Sequence, residues 1–367
     1  MTLMRLGVLP VLTALALGGA GSASAADDEM EMGLAAPSGD PSFVSPKAKV
    51  EVLTDEPFFT EGAAVAPDGT VYFSDITFTG LSGMQAGHIW RYNPKTGKSA
   101  VFRSPSGMSN GLKFDAMGRL LAAEGADYGG RRITRTDLTT GKAEIVAAMY
   151  NGRRFNSPND ITLDEKGRIY FSDPRYLGHE TIEQGVQAVY RIDTDGSVHR
   201  VVTDAGKPNG VAVSPDQKTL YVVSNDNGIT GMPIAVGDGG AVTGPTRKGQ
   251  MALLAYDLAA DGSATFREML VDYSPEDGPD GLVCDKEGNV WVAVRDITRP
   301  GIVAYAPSGE EKAYIPTPQQ PTNVAFGRGK KSKTLYMTYG LQTPEGDKAV
   351  LARIQVKKEG YHLPEAK

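Results

Sequence analysis

The sequence predicts an all-β fold, a six-bladed β-propeller with four-stranded blades around a central channel. A short polar dipeptide opens a hydrophobic strand pattern six times along the chain, and two hairpin patterns follow each opening. The intervals between successive openings are 49, 49, 50, 71 and 43 residues. Repeats of this length are typical of radial arrays in which each repeat is one small sheet.

The first half of each repeat predicts an inner hairpin. The openings are Glu61-Gly62, Asn110-Gly111, Asn159-Asp160, Asn209-Gly210, Asp280-Gly281 and Asn323-Val324. In the first copy, small and apolar residues lead to the turn PDG, and the β-branched and aromatic run VYF returns. This composition favours two antiparallel strands, the first of them crowded near an axis.

The second half of each repeat predicts an outer hairpin. Its copies are IWRYNPKTGKSAVF, ITRTDLTTGKAEIV, VYRIDTDGSVHRVV, LAYDLAADGSATFREML, IVAYAPSGEEKAYI and LARIQVKKEGYHL. Most of them alternate apolar and polar residues on either side of a Gly-containing turn, which is the pattern of a half-buried hairpin. Two hairpins per repeat give the four strands of a propeller blade.

Two segments lie outside the regular pattern. The residues VEVL at 50–53 precede the first opening and have no partner in their own repeat. We expect them to join the last blade, as an added outer strand or in exchange for its last strand, because either arrangement removes an exposed edge. The long fourth interval contains a Gly-rich insertion at residues 225–249, which we interpret as a surface loop and a candidate lid.

The N-terminus has the pattern of a secretory signal. Arg5 precedes an apolar run, and small residues end at Ala25, so residues 1–25 are predicted to be cleaved and the protein to be periplasmic or secreted. The run is short for a membrane anchor, the alternative. Residues 26–46 are acidic and then rich in Pro, Ser and Gly, which predicts a flexible leader. Residues 47–367 remain for the propeller.

Composition excludes several partners. Removing Arg5 with the signal peptide changes the formal net charge from −6 to −7, and there is no Lys/Arg run with interleaved aromatic residues. We therefore expect no nucleic acid partner.

No segment after the signal peptide predicts membrane insertion. Cys284 is the only cysteine, so no intrachain disulfide forms, and we expect it to be buried. The sequence does not indicate an oligomeric state.

The opening residues predict a ring of oxygen atoms. In similar blades they lie at equivalent places around the axis, which gives two carboxylates and four amides at one end of the channel. Glu61 stands where other repeats have Asn or Asp, and Glu is not a turn residue. Two carboxylates on one axis repel each other unless a cation or a proton lies between them. The alternative, that the openings are only turn residues, stays open for Asn110 and Asn323.

We predict Glu61, Asn159, Asn209 and Asp280 as metal ligands. Oxygen ligands suit Ca²⁺, Mg²⁺ or Mn²⁺ better than Zn²⁺. The four histidines have no metal-ligand spacing, and none is an opening residue. So few protein ligands leave coordination positions for water and substrate, as in catalytic metal sites.

Other catalytic motifs are absent from the sequence. It contains no G-x-S-x-G elbow, no Walker loop and no HExxH. His179, in DPRYLGHE, follows the second strand pattern of the third blade. It is a candidate substrate contact at the channel rim, with an ordinary loop histidine as the alternative.

Four segments together resemble the SMP-30/gluconolactonase/regucalcin family of six-bladed propellers. They are FTEGAAVAPDGTVYFSD, FNSPNDITLDEKGRIYFSDPRY, PNGVAVSPDQKTLYVVSN and GPDGLVCDKEGNVWVAV. The resemblance extends from about Leu53 to the C-terminal blade. The long form of the third-blade segment is most similar to bacterial gluconolactonases.

The resemblance implies a divalent cation, Ca²⁺ or Zn²⁺, at Glu61, Asn209 and Asp280. It also implies that Asn159 contacts the metal or the substrate. Asp280 would then be the general base as well as a ligand.

The resemblance further implies contacts to the substrate. Asn159 and Asn110 would orient substrate hydroxyl groups. Some members of the family have a substrate-binding Arg two residues before the position of Asn159, but Ser157 occupies that position here. Arg153 and Arg154 lie slightly earlier, and Arg154 is the substrate-binding candidate.

The function that the resemblance implies is metal-dependent hydrolysis of a small-molecule substrate, a sugar lactone such as an aldonolactone. One alternative is a phosphotriesterase or another ester hydrolase that uses the same metal ring. A second is a non-enzymatic propeller that binds a sugar or a protein and holds the metal for structural reasons.

Overall fold

The computed structural model describes residues 34–77, 86–228, 249–343 and 346–365. The predicted signal peptide and most of the predicted lid lie outside the described residues. Apart from one short 3₁₀ turn, Gly329–Lys331, the regular elements of the described chain are strands. In this part of the chain, no helix has the length and apolarity to cross a membrane.

The strands form six antiparallel sheets, which confirms the predicted six-bladed propeller. Blade 1 contains Thr60–Val65, Val71–Asp75, His88–Asn93 and Lys98–Arg103; blade 2 contains Ser109–Phe114, Leu120–Glu124, Arg132–Thr136 and Ala143–Ala147. Blade 3 contains Ile161–Leu163, Ile169–Asp173, Ala188–Ile192 and Val198–Val202; blade 4 contains Pro208–Val213, Thr219–Asn225, Met251–Leu258 and Ala264–Asp272. Blade 5 contains Pro279–Cys284, Val290–Val294, Gly301–Tyr305 and Glu311–Pro316; blade 6 contains Pro321–Phe326, Thr334–Thr343, Gly346–Gln355 and Glu51–Thr54. A short hairpin of Met149–Tyr150 and Arg153–Arg154 connects blades 2 and 3.

The first strand of each blade contacts the first strands of both neighbouring blades. Thr60–Val65 of blade 1 contacts Ser109–Phe114 of blade 2 on one side and Pro321–Phe326 of blade 6 on the other. The six first strands therefore form a closed ring around the axis. Apolar side chains fill the space between adjacent blades, and Cys284 is buried among them, as predicted.

The ring closes by exchange of a strand. Glu51–Thr54, from the N-terminal side, pairs with Gly346–Gln355 as the fourth strand of blade 6. The predicted sixth outer hairpin is wrong in its second half, because the described residues after Gln355 form only an isolated bridge between Gly360 and Asp285. The N-terminal strand occupies the edge that this segment was expected to fill.

The C-terminal segment instead crosses the end of the channel opposite the openings. The Tyr361 hydroxyl donates to Glu165 of blade 3 and accepts from Gln217 of blade 4. Nε2 of His362 donates to the carbonyl of Gly327 beside blade 6. The segment thereby ties several blades together.

Part of the predicted flexible leader is structured. Ser38–Gly39 pairs with the outer strand of blade 5. Phe43 and Val44 are buried, and the Phe43 ring lies 6.0 Å from that of Trp291. The expectation of a flexible leader up to residue 46 is therefore wrong for residues 38–44, because two apolar side chains bind this segment to the propeller.

In blades 1, 2, 4 and 5 the opening dipeptide lies in a β-bulge of the first strand and not in a turn. The strand register shifts at Glu61-Gly62, and equivalent shifts occur in blades 2, 4 and 5. In blade 6 the shift lies before the opening residue Asn323, and in blade 3 the first strand, Ile161–Leu163, begins after the opening. A Cβ atom on Gly62 would lie 2.2 Å from the carbonyl oxygen of Asn110, and one on Gly210 would lie 2.3 Å from that of Asp280. Glycine is needed here because backbones of neighbouring blades approach closely.

Replacing Gly62 by Ala should therefore push blades 1 and 2 apart. We expect Gly62→Ala to lower the free energy of unfolding by about 1–3 kcal/mol, as overpacking does. Gly185→Ala is the matched control, because its Cβ would meet no atom within 4 Å and its backbone φ is not positive. Urea unfolding of both variants measures the difference. Equal stability of the two variants would contradict the close-approach explanation.

His362 should make the protein sensitive to acid. Burial, together with the cations Arg328 and Lys113, lowers its pKa from 6.5 to about 3. Below pH 6.5 the unfolded chain takes up a proton that the folded protein does not, so stability falls by ~1 kcal/mol per pH unit. His362→Gln can still donate to Gly327, and we expect its melting temperature to fall less between about pH 7 and about pH 5. An identical fall in both proteins would contradict this.

Candidate functional site

Five of the six opening residues line one cavity at the end of the channel. The cavity has a volume of about 230 Å³, and Glu61, Asn110, Asn159, Asn209 and Asp280 are in its wall. All five are buried. The structure thus brings together every predicted metal ligand.

Asn323, the sixth opening residue, is not part of the described wall. Its Oδ1 accepts a hydrogen bond from the backbone N–H of Val324, and its side chain packs on Gly281. It lies within a strand, so it has a packing role and is not a turn residue.

The end of the second strand holds the segment that leads to Glu61. Oδ1 of Asp75 accepts hydrogen bonds from the backbone N–H groups of Phe58 and Phe59, at 3.1 and 2.9 Å. Its Oδ2 accepts from Nε1 of Trp90. These three hydrogen bonds fix the backbone just before the first strand, and thereby the position of the Glu61 backbone.

Blade 3 repeats this device. Oδ1 and Oδ2 of Asp173 accept, at 2.8 Å each, from the backbone N–H groups of Ser157 and Asn156, just before Asn159. Burial raises the pKa of Asp173 to about 7, against the opposing effect of these bonds. The recurring YFSD motif therefore ends in a carboxylate that positions a residue of the cavity wall.

A hydrogen-bond chain orients the amide of Asn209. The Tyr176 hydroxyl donates to the carbonyl of Asn225 at 2.9 Å, so it can only accept from Nδ2 of Asn209, at 3.3 Å. Asn209 also contacts Asp280 by a side-chain hydrogen bond. Because a carboxylate accepts, this bond also uses Nδ2, and Oδ1 is left to act as an acceptor for a ligand.

The two carboxylates of the cavity wall are held in a setting that disfavours their charge. Burial raises the pKa of Glu61 well above its ordinary value, and neighbouring Asp280 raises it further. Burial likewise raises the pKa of Asp280 to about 6, while Arg295 opposes the shift. Nη1 of Arg295 lies 3.2 Å from Oδ2 of Asp280. The two ionised carboxylates repel each other, and a bound cation would relieve this repulsion.

The donor set fits a hard divalent cation. The buried Oδ1 of Asn110 has no hydrogen-bond partner among the described residues, and such an unmet acceptor is costly unless it meets a donor or a cation. In the same part of the chain, no three His, Cys, Asp or Glu side chains form a metal cluster. Two carboxylates and several amide oxygens are therefore the ligands that the cavity offers.

Asp160 occupies the position that four of the other five openings give to glycine. Its backbone N–H donates to Oγ of Ser172, and its Oδ2 accepts from the backbone N–H of Val211 at 3.0 Å. Burial raises its pKa to about 6, although this bond and the Lys113 cation oppose the shift. Asp160 therefore links blades 3 and 4 behind the cavity wall.

Two predicted substrate contacts are not in the described cavity wall. The Arg154 guanidinium donates to the carbonyl of Gly130, and its backbone N–H donates to Glu183. The His179 ring packs on Tyr128 with the ring centres 4.3 Å apart. Ser157 does line the cavity, and its Oγ accepts from the N–H of Ala126.

Several polar residues of the wall were not predicted from the sequence, among them Tyr176 and Arg295. Arg295 directly follows the apolar strand Val290–Val294, at a position where blade 1 has Ile76 and blade 2 has Gly125. A charged residue directly after the second strand of a blade could have indicated from the sequence that Arg295 lies in the cavity. Tyr176 lies in a loop, where no periodicity marks its direction.

Comparison with known proteins identifies consistent similarities. A family model described as the SMP-30/Gluconolactonase/LRE-like region matches residues 59–340. A gluconolactonase of Zymomonas mobilis is 30% identical over 298 residues, which are 74% of this chain and 75% of the relative. A pentonolactonase of Haloferax volcanii is 26% identical over 273 residues, 74% of this chain and 80% of the relative.

A solved structure shares the fold. The gluconolactonase of Xanthomonas campestris superposes with a TM-score of 0.65 and is 26% identical in sequence. The match covers 84% of this chain and 89% of that structure. It therefore includes all or nearly all of the propeller.

Proposed function

Because the chain belongs to the SMP-30/Gluconolactonase/LRE-like family, we propose that it hydrolyses a sugar lactone with the help of a divalent cation. Relatives named as a gluconolactonase and a pentonolactonase support this class of substrate. The observation that carries the proposal is the convergence of two buried carboxylates, Glu61 and Asp280, on one cavity with amide oxygens.

The cation would be held by the oxygen atoms of Glu61, Asn159, Asn209 and Asp280, with Ca²⁺ as the favoured ion. When bound, a divalent cation supplies a positive charge that polarises the lactone carbonyl group. The unmet Oδ1 of Asn110 offers one further acceptor, for the cation or for a substrate hydroxyl.

Asp280 is the proposed general base. Its carboxylate takes a proton from a water molecule while the water oxygen bonds to the carbonyl carbon. The ring C–O bond then breaks, the proton passes to the departing ring oxygen, and the product is an open-chain hydroxy acid. The amide groups of Asn159 and Asn110 orient substrate hydroxyls.

Removal of the metal is the first test of this function. We expect a chelator to abolish lactone hydrolysis by the purified protein while its circular dichroism spectrum stays that of a folded β protein, and Ca²⁺ to restore turnover. Hydrolysis that persists after complete metal removal would overturn the proposed role of the cation. If the metal-loaded protein cleaves no ester and the chelator only lowers its melting temperature, the alternative of a non-enzymatic binding propeller with a structural metal is favoured.

Substitution of Asp280 by Asn tests its proposed role as the general base. The variant retains size and polarity but lacks the base, so we expect kcat to fall about 10²-fold or more in a folded protein. Asn323→Ala is the matched control, since Asn323 holds the same place in its repeat outside the described cavity wall. Full turnover by Asp280→Asn would exclude Asp280 as the base.

We also propose that the protein is exported. The apolar run after Arg5 and the small residues before Ala26 support a cleavable signal at residues 1–25. Expression of the full chain in a Gram-negative host should give a periplasmic protein whose N-terminal sequence begins at Ala26. An uncleaved protein in the cytoplasmic fraction would contradict export.

A further inference from the structure

Arg295 gives the cavity an unusual charge distribution. Three side chains of the described cavity wall carry formal charges, Glu61, Asp280 and Arg295, and Arg295 is the cation among them. It enters from the end of the second strand of blade 5, where blades 1 and 2 present Ile76 and Gly125 to the same cavity. The repeat architecture does not require a charge at this position, so the scaffold alone does not explain it.

The guanidinium is anchored on one side and open on the other. Nη1 donates to Oδ2 of Asp280 at 3.2 Å, and the backbone carbonyl of Arg295 accepts from Nε2 of Gln320. Within the described part of the chain, no other hydrogen bond from the guanidinium is found. The Arg295 side chain is 23% exposed, against 8% for Asp280. Several N–H donors thus remain for a molecule in the cavity.

Charge balance indicates what that molecule carries. The formal charges of Glu61, Asp280 and Arg295 sum to −1, and a divalent cation changes the sum to +1. Excess charge in a buried site is unfavourable unless a counter-charge is present. A ligand with one negative group neutralises the loaded site, whereas a neutral ligand leaves it positive.

We propose that Arg295 binds a carboxylate of the substrate, and that the preferred substrates are sugar lactones that carry a carboxylate, such as aldarolactones. The planar guanidinium presents paired N–H donors that match the two oxygens of a carboxylate. Asp280 holds one edge of the guanidinium and thereby orients the rest. This inference rests on the proposed lactonase function and adds the class of lactone.

The test compares two lactones that differ in one group. An aldonolactone ends in CH₂OH and the matching aldarolactone ends in a carboxylate. We expect the wild-type protein to have the lower KM for the aldarolactone. Arg295→Gln should reduce the ratio of kcat/KM for the aldarolactone to kcat/KM for the aldonolactone by about tenfold or more. The ratio cancels any effect of Arg295 on Asp280 that both substrates share.

Two further variants separate binding from general electrostatics. Arg295→Lys keeps the charge but not the planar fork, and should restore part of the preference. Arg299→Gln removes a cation from the same blade whose partner is Glu311 outside the described cavity wall, and should leave the ratio unchanged. If Arg295→Gln lowers kcat equally for both lactones and the ratio stays constant, Arg295 serves only Asp280 and the inference is wrong.

Calorimetry supplies a readout that does not need turnover. Titration of the Ca²⁺-loaded protein with the open-chain aldarate dianion should give a dissociation constant that rises about tenfold in Arg295→Gln, and this result would stand even if neither lactone is hydrolysed. Aldonolactone hydrolysis with no preference and no aldarate binding would overturn the inference while the proposed function stands. If the protein binds aldarate but hydrolyses neither lactone, the proposed lactonase function is wrong, whereas the assignment of Arg295 to a carboxylate stands.

Discussion

The rest of the structure depends on the close approach of neighbouring first strands around the axis. A Cβ atom on Gly62 or Gly210 would collide with the backbone of the next blade, so these positions need glycine. In blades 1, 2, 4 and 5 the bulge turns the residue before the opening glycine toward the axis. Close packing of the first strands is therefore both the closure of the propeller and the reason that polar residues meet in one cavity.

Crowding at the axis has an electrostatic consequence. Glu61 and Asp280 lose most of their solvent, and burial raises the pKa of each. A water-filled surface site would not disfavour the charged forms in this way. The fixed scaffold cannot separate the two carboxylates, so their repulsion is relieved by a proton, by a bound cation or by Arg295, which supplies one contact to Asp280.

The repeat pattern predicted the blades and five residues of the cavity wall, because both follow from a local period of strand and turn signals, although it placed Asn323 in the same ring. It did not predict the packing of Phe43 on Trp291 or the course of the chain around Tyr361. These are long-range contacts of irregular segments, whose partners no periodicity indicates. Arg295 was not predicted for a different reason. Its role depends on which residues of other blades lie near it in the cavity, and a single sequence does not give the distances between blades.

We propose that the cavity around Glu61 and Asp280 is a cation site built by the packing of the first strands. An anomalous difference map from crystals grown with Mn²⁺ tests it directly. The account predicts one strong peak inside the cavity, bonded to oxygen atoms of Glu61, Asn209 and Asp280. A cavity without a peak, or a peak bonded only to residues elsewhere on the propeller, would contradict it.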